Sequence, residues 1–263
     1  MNIMVCLKQV PDTDEVKTDP ETGRIIREGI AGTINPFDMF VLEEALRLKE
    51  KYGGKITLLS MGPKDAINTL YFGLALGADE AYLLSDIKFA GSDTLATSYA
   101  LSCGIKTLGY FDLIICGIKT TDGDTGQVGA NLAEILDIPS VYYVKNILNY
   151  QNSKIEVERL LEDRTQILQI SLPCVISIVK GANMPRMPTL IGKIEAERKL
   201  LKILNASEVN AKEDNCGLEG SPTRVVKVFL PDKRKQGVIL KGYFDRNINK
   251  LIEFLKSKKM VSS

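Results

Sequence analysis

The chain has 263 residues, 44% of them hydrophobic, which is enough apolar material for one substantial core and an appendage rather than two full domains. With 34 Lys and Arg against 33 Asp and Glu, the net charge of +1 exerts no long-range pull on nucleic acid or an anionic membrane. Histidine is absent, which excludes from this chain every mechanism that needs an imidazole base, a Ser-His-Asp triad or a His-ligated metal.

The opening MNIMVCLKQVPD is too short for a signal-peptide core and lacks a small-residue cleavage site, so Ile3 to Leu7 reads as a first buried strand. A polar stretch follows in which Asp19-Pro20-Glu21-Thr22-Gly23 supplies the turn of a small hairpin. A helix starts at Asn35-Pro36, with Asn35 as its cap and Phe37, Val41, Ala45 and Leu48 facing the sheet. The second strand is Ile56 to Ser60, and Met61-Gly62-Pro63 turns the chain into a helix from Lys64 to Leu76, closed by Gly77. A third strand, Ala81 to Leu84, precedes a helix opened by Gly91-Ser92-Asp93-Thr94 and running toward Leu108. Phe111 to Gly117 reads as a central strand, and the loop Thr120 to Gly129 leads into a helix through Ala133 and Leu136.

Beyond Pro139 the pattern changes to hairpin-like strands, Val141 to Leu148 and Ile155 to Leu161, then Ile167 to Ile170 and a buried run Val175 to Val179. Short apolar runs alternating with helical periodicity predict an α/β fold, a doubly wound, mainly parallel, Rossmann-like sheet over residues 1–183. Residues 184–263, with a charged helical patch from Glu195 to Lys202 and a polar segment around Gly217 to Pro222, read as an arm that lies on another chain or caps the domain. No run of about 18 apolar residues predicts a membrane span. The five cysteines, Cys6, Cys103, Cys116, Cys174 and Cys216, include no CxxC pair and fit reduced thiols in the cytoplasm.

In an open parallel sheet, ligands sit at the carboxyl ends of the strands where the strand order reverses. Three such ends carry the chemistry here: Cys6-Leu7-Lys8, Ser60-Met61-Gly62-Pro63, and Gly117 to Val128. Glycines let backbone amides approach phosphate oxygens, and a following helix adds unsatisfied N–H groups, which is the form of Thr125-Gly126-Gln127-Val128. Neither GxGxxG nor GxxxxGK[ST] is present, so the site is a generic nucleotide crevice rather than a dinucleotide or P-loop motif. Asp122 and Asp124 read as capping and hydrogen-bonding groups, not a metal or acid/base pair. The basic patch Lys227 to Lys235 is split by Asp232 and lacks an aromatic stripe, which argues against nucleic acid as a partner.

Val5-Cys6-Leu7-Lys8-Gln9-Val10-Pro11-Asp12, Ile34-Asn35-Pro36-Phe37-Asp38, Glu43 to Lys49, Ala75-Leu76-Gly77-Ala78-Asp79, Asp122 to Gly129 and Gly217 to Thr223 follow one another in an order and spacing that resemble the electron transfer flavoprotein beta subunit over nearly the whole chain. Thr121 to Gly129 is similar to the electron-bifurcating branch, which binds a second FAD where another branch holds structural AMP. The resemblance therefore implies FAD, with AMP as the alternative, and Gly123 leaves room for the larger ligand. It places Cys6, Lys8, Asn35, Met61, Gly62, Asp93 and Thr94 along the adenosine and ribityl path. It turns the amides of the loop with Asp122, Gly123, Asp124, Thr125, Gly126, Gln127 and Val128 toward the diphosphate and adds Gly117 to the cofactor-binding set.

The family's chemistry implies that NADH delivers a hydride to this flavin, with one electron passing to the FAD of a partner alpha subunit and one to ferredoxin. No catalytic residue and no metal ligand is then expected of the chain, which is not a catalyst alone. Arg186 to Ile191 resembles the family's recognition loop, in which Leu190 anchors a flavin-dependent dehydrogenase of acyl-CoA or lactate type. A stand-alone nucleotide-binding domain of stress-protein or ATP-pyrophosphatase type shares the architecture but needs a phosphate motif of its own.

Overall fold

The computed structural model describes residues 1–12, 32–226, 237 and 239–260. Strand β1 (Asn2–Leu7) is buried from Ile3 to Leu7, as an apolar run covered on both faces must be. A short antiparallel ribbon follows, β2 (Gln9–Pro11) against β3 (Gly32–Ile34); the turn expected at Asp19 to Gly23 lies outside the described residues. Helix α1 (Pro36–Tyr52) buries Val41, Leu42, Ala45, Leu46 and Leu48, the three-and-four spacing of a single helical face.

The chain continues through β4 (Lys55–Met61), a short 3₁₀ turn, α2 (Ile67–Leu76), β5 (Glu80–Leu84), α3 (Thr94–Leu108), β6 (Leu113–Gly117) and α4 (Val128–Leu136). Next come β7 (Ser140–Gln151), β8 (Lys154–Leu160), β9 (Thr165–Ser171), β10 (Cys174–Ile178), α5 (Leu190–Ala196) and β11 (Leu200–Leu204).

Nine of these strands form one sheet in the order β11-β5-β4-β1-β6-β10-β7-β8-β9. From β11 to β7 every pairing is parallel, and β8 and β9 extend the sheet antiparallel. Side chains of β1 alternate between two cores: Ile3, Val5 and Leu7 pack with α1 and α2, while Met4 and Cys6 pack with α3 and α4. This is the doubly wound α/β architecture that the sequence pattern predicts.

Two details differ from expectation. Leu200 to Leu204 is not part of a helix but an edge strand, paired in register with Glu80 to Leu84 of β5. Its half-buried residues, Leu201 and Leu204, stand three apart and touch the two opposite cores, a spacing that reads as helical in the sequence. The chain divides into two compact units, Met1–Lys227 and Val228–Ser263. Within the second, α6 (Phe244–Ser257) carries Phe244, Ile248, Leu251, Ile252 and Leu255 on one stripe.

Asn35 also departs from the expected capping role. Its side chain makes no capping bond; the amide Nδ2 donates instead to Asp38 Oδ1 at 2.8 Å and to the Lys119 carbonyl at 3.0 Å. Among the described residues no helix is long and apolar enough to cross a membrane.

Candidate functional site

From β1 the chain lays β4 and β5 on one side and then crosses to place β6 on the other, so the sheet's switch point lies between β1 and β6. In open α/β sheets the ligand crevice lies at this point, outside the carboxyl ends of the strands. The start of α1 ties its two walls together. Asp38 accepts the Lys8 backbone N–H at 2.7 Å and the Asn35 amide at 2.8 Å, and the Asn35 backbone N–H donates to the Lys8 carbonyl at 2.9 Å. Asn35 then reaches the Lys119 carbonyl beyond β6.

Gly117 has to be glycine, because a Cβ there would stand 2.3 Å from Asp38 Oδ1. Burial lifts the Asp38 carboxyl to about 7, against the pull of the hydrogen bonds from Lys8 and Asn35. Asn35 is fully buried, yet its Oδ1 has no partner, nor has the buried hydroxyl of Ser60 at the end of β4. Such orphans are rare in native interiors and mark places where a ligand or water completes the network.

The loop after β6 arranges its charges in pairs. Lys8 Nζ donates to both oxygens of Asp122 at 2.8 and 2.7 Å, and Lys119 Nζ lies 2.6 Å from Asp124 Oδ1. Asp124 and Gly126 take left-handed backbone angles, φ 52° and 63°, and the Asp124 N–H donates to the Thr120 carbonyl at 2.9 Å. At the head of α4, Gln127 provides no side-chain cap; its Oε1 instead accepts the Thr94 hydroxyl at 3.0 Å. The first turn of α4 thus presents N–H groups and a partial positive charge to the crevice, the form of a phosphate site.

Gly123 is a different glycine from Gly117. A Cβ added there would meet only Thr120 Oγ1, at an ordinary 3.5 Å, so neither packing nor backbone angle within the chain demands its absence.

Asp93 and Thr94 stand at the head of α3, beside this loop. One Asp93 oxygen accepts the Leu95 and Ala96 N–H groups at 2.9 and 3.1 Å, and the other accepts the Thr223 N–H and hydroxyl at 3.0 and 2.7 Å. Ser221 completes the junction by accepting the Asp93 N–H at 2.8 Å. Both Asp93 oxygens are therefore occupied within the chain, and Gly217 to Thr223 is a strap rather than a loose loop. Met61 and Gly62 lie at the same sheet end, where the Gly62 N–H donates to the Leu84 carbonyl at 3.0 Å rather than to any other candidate. Cys6 lies beneath the crevice beside Cys116, whose thiol is pushed up by that neighbour and by burial and so stays protonated.

Leu190 begins α5, which packs on α2 so closely that a Cβ on Gly192 would stand 2.3 Å from the Ala75 carbonyl. Thr189 caps it by accepting the Gly192 N–H at 3.0 Å. The outward side carries Leu190, 75% exposed, with Met187, Ile191 and Ile194.

Of the residues named from the sequence, the structure brings Lys8, Asn35 and Asp122 next to one another; Ser60 and Lys119 lie within the strand-end runs without being singled out, and Asp38 is not picked as a site residue. An aspartate in a first helical turn reads as an exposed partner of the helix dipole, and only the strand-end packing reveals a buried one. Lys119 had a signal, a basic residue between two glycines of the loop, but an ordinary one.

Fold and site together define an open, doubly wound α/β protein with an anion-ready crevice at its switch point. The family model described as the electron transfer flavoprotein domain matches residues 22–208. The chain is 45% identical over 262 residues to the electron transfer flavoprotein subunit beta of Thermoanaerobacterium thermosaccharolyticum, covering 99% of this chain and 100% of the relative. It is 41% identical over 263 residues to the caffeyl-CoA reductase-Etf complex subunit CarD of Acetobacterium woodii, covering 99% and 100%. With Protein FixA of Azotobacter vinelandii it shares 43% identity over 265 residues, covering 98% and 94%. The chain belongs to the electron transfer flavoprotein family, as a beta subunit. Membership implies that it binds a flavin or another nucleotide.

Proposed function

We propose that this subunit holds FAD in the crevice between β1 and β6 and serves an electron-bifurcating complex with an alpha subunit. The observation that carries the reading is the open head of α4 beside Gly123, a position kept free of side chain although the chain's own packing leaves room for one. The residues fit such a ligand. Backbone N–H groups at the head of α4 suit phosphate charge, Lys8 and Lys119 stand beside them in ion pairs with Asp122 and Asp124, and the orphan Asn35 Oδ1 is an acceptor for a ligand donor.

When bound, the flavin supplies hydride acceptance from NADH and its division into two single-electron transfers, one toward ferredoxin and one toward the alpha-subunit FAD and a partner dehydrogenase. The chain itself binds, orients and excludes water. It offers no imidazole, and the crevice-floor thiol of Cys116 stays protonated. Asp93 holds the head of α3 and the strap in place rather than contacting the ligand with a free oxygen.

The exposed surface of Met187, Leu190, Ile191 and Ile194 is the docking surface for a flavin-dependent dehydrogenase of acyl-CoA or lactate type, and the second unit, with the apolar stripe of α6, packs on the alpha subunit. A relative named as part of a caffeyl-CoA reductase-Etf complex supports such an assembly. All five cysteines are free, which suits the cytoplasm.

The test is the FAD and AMP content of the complex purified with its alpha subunit. Two FAD per heterodimer without AMP is the expected result. One FAD with AMP overturns the bifurcating reading and makes this subunit a structural partner in a simple electron carrier.

A further inference from the structure

The apolar docking surface stands on a segment that has little secondary structure of its own, and the way that segment is held is unusual. Arg186 uses its side chain and its backbone N–H on carboxylates of a single helix, α1. Its Nε donates to Glu43 Oε2 at 2.9 Å and its Nη2 to Glu43 Oε1 at 3.1 Å, while its backbone N–H donates to Glu43 Oε2 at 3.0 Å. The same guanidinium also reaches Glu50, Nη2 to Oε2 at 3.1 Å and Nη1 to Oε1. Three residues earlier, the Asn183 amide donates to the Phe40 carbonyl at 2.9 Å and to Glu44 at 3.0 Å.

The Glu43 side chain is 5% exposed and is shared with Arg47, whereas Arg186 is 37% and Glu50 57% exposed, so the clamp is doubly bidentate with one buried carboxylate and one at the surface. It fixes the chain at Asn183 and Arg186, next to exposed Met184 and Met187 and one helical turn from exposed Leu190 and Ile191. Its own fold value is modest, because the pair could be replaced by apolar packing at little cost. Its geometric value is large, because a loop held in one conformation loses little entropy when a partner docks.

We propose that Arg186 is the positioning residue of the docking surface: its clamp on Glu43 and Glu50 presets the path of residues 183–191 so that the apolar side chains beyond it meet a partner already in place. The inference rests on the docking reading of Leu190 given above. Lysine cannot substitute, since a single ammonium on a flexible stem cannot span two carboxylates in a planar fork.

The experiment uses the intact complex with its alpha subunit and measures its reduction by a flavin-dependent acyl-CoA dehydrogenase, and separately by the lactate type, together with amide hydrogen exchange of residues 183–194. Arg186→Lys is expected to raise the KM for the dehydrogenase about tenfold, at unchanged kcat and unchanged flavin content, and to speed exchange in that segment. Leu190→Ala, run alongside, is expected to raise KM without altering exchange. Should Arg186→Lys fold poorly, Glu50→Gln removes only the exposed half of the clamp and is expected to give about a threefold rise. A rise for Leu190→Ala with none for the clamp variants overturns the positioning role alone. No rise for either overturns the docking reading and this inference with it. Unchanged exchange in Arg186→Lys overturns the inference whichever dehydrogenase is used.

Discussion

Two helices, α3 and α4, begin at the same end of the sheet and are joined there by the bond from Thr94 to Gln127, yet their heads are finished in opposite ways. At α3, Asp93 caps the first turn and the strap Gly217 to Thr223 closes over it, so every strong acceptor is spent within the chain. At α4 no side chain caps the first turn, and the nearby carboxylates of Asp122 and Asp124 are turned to lysines instead. A side-chain cap is worth about 1 kcal/mol; without one, the first N–H groups of α4 have no side-chain acceptor within the chain. Local sequence alone, Asp-Thr against Gln-Val, already hints at the contrast; the strap that completes it comes from 120 to 130 residues away and does not.

The two sides also respond to pH in opposite directions, and this is the largest expected effect. On the open side, burial raises the Asp38 carboxyl from 3.8 to about 7, so between those values the folded protein holds a proton that the unfolded chain has lost. Its contribution is full below about pH 4 and is lost as pH rises through about 7, on the order of a few kcal/mol in total. Urea unfolding across that range is expected to show stability falling with pH, and Asp38→Asn to flatten the fall; a variant that keeps the wild-type slope assigns it elsewhere. On the closed side, burial pushes Asp93 up but the hydrogen bonds from Thr223, Ala96 and Leu95 outweigh it and hold the carboxyl below its ordinary value. Its contribution is therefore present above the ordinary carboxylate range and lost as pH falls.

Making the open head resemble the closed one is the next test. Gln127→Asp sets a carboxylate at the start of α4, and binding of FAD or AMP is expected to weaken about tenfold with little change in melting temperature. Affinity unchanged by that substitution would place the phosphates somewhere other than this helix. The reverse operation, Asp93→Ala, uncaps α3 and frees the strap. About 1 to 2 kcal/mol of stability should be lost in chemical denaturation while retained nucleotide stays near the wild-type level. The smallest structural effect is expected for Gly123→Val, whose Cβ meets only Thr120 Oγ1. Stability should stay within about 0.5 kcal/mol, yet flavin content should drop, and undiminished flavin in the purified variant would remove the ligand as the reason for that glycine.

Much of this was legible in the chain. The strand runs were legible because a parallel strand buried on both faces must be continuously apolar, and Asp93 was legible as the opener of α3 because a short acidic side chain before a helical stretch has one common use. The strand at Leu200 to Leu204 was not, because its half-buried Leu201 and Leu204 stand three apart amid charges, which is the spacing of a surface helix. Asn35 misled for a related reason: its position before Pro36 is that of a cap, but a buried carboxylate three residues on competes for its amide. Arg186 gave no sign of its clamp, since an arginine in a Met- and Pro-rich loop acquires that meaning only from the carboxylates of α1, about 140 residues away.

What the sequence by itself determined is everything local: the alternation of elements, the glycines and helix heads at the strand ends, the absence of any imidazole, and a resemblance specific enough to place the family. What only the tertiary structure decided is which polar groups meet. Burial and hydrogen bonding between residues distant in the chain divide the candidate aspartates into a raised, buried Asp38, ion-paired Asp122 and Asp124, and a fully committed Asp93. A side chain's chemistry is set by its dielectric surroundings and its partners, and neither is written in its neighbours along the chain.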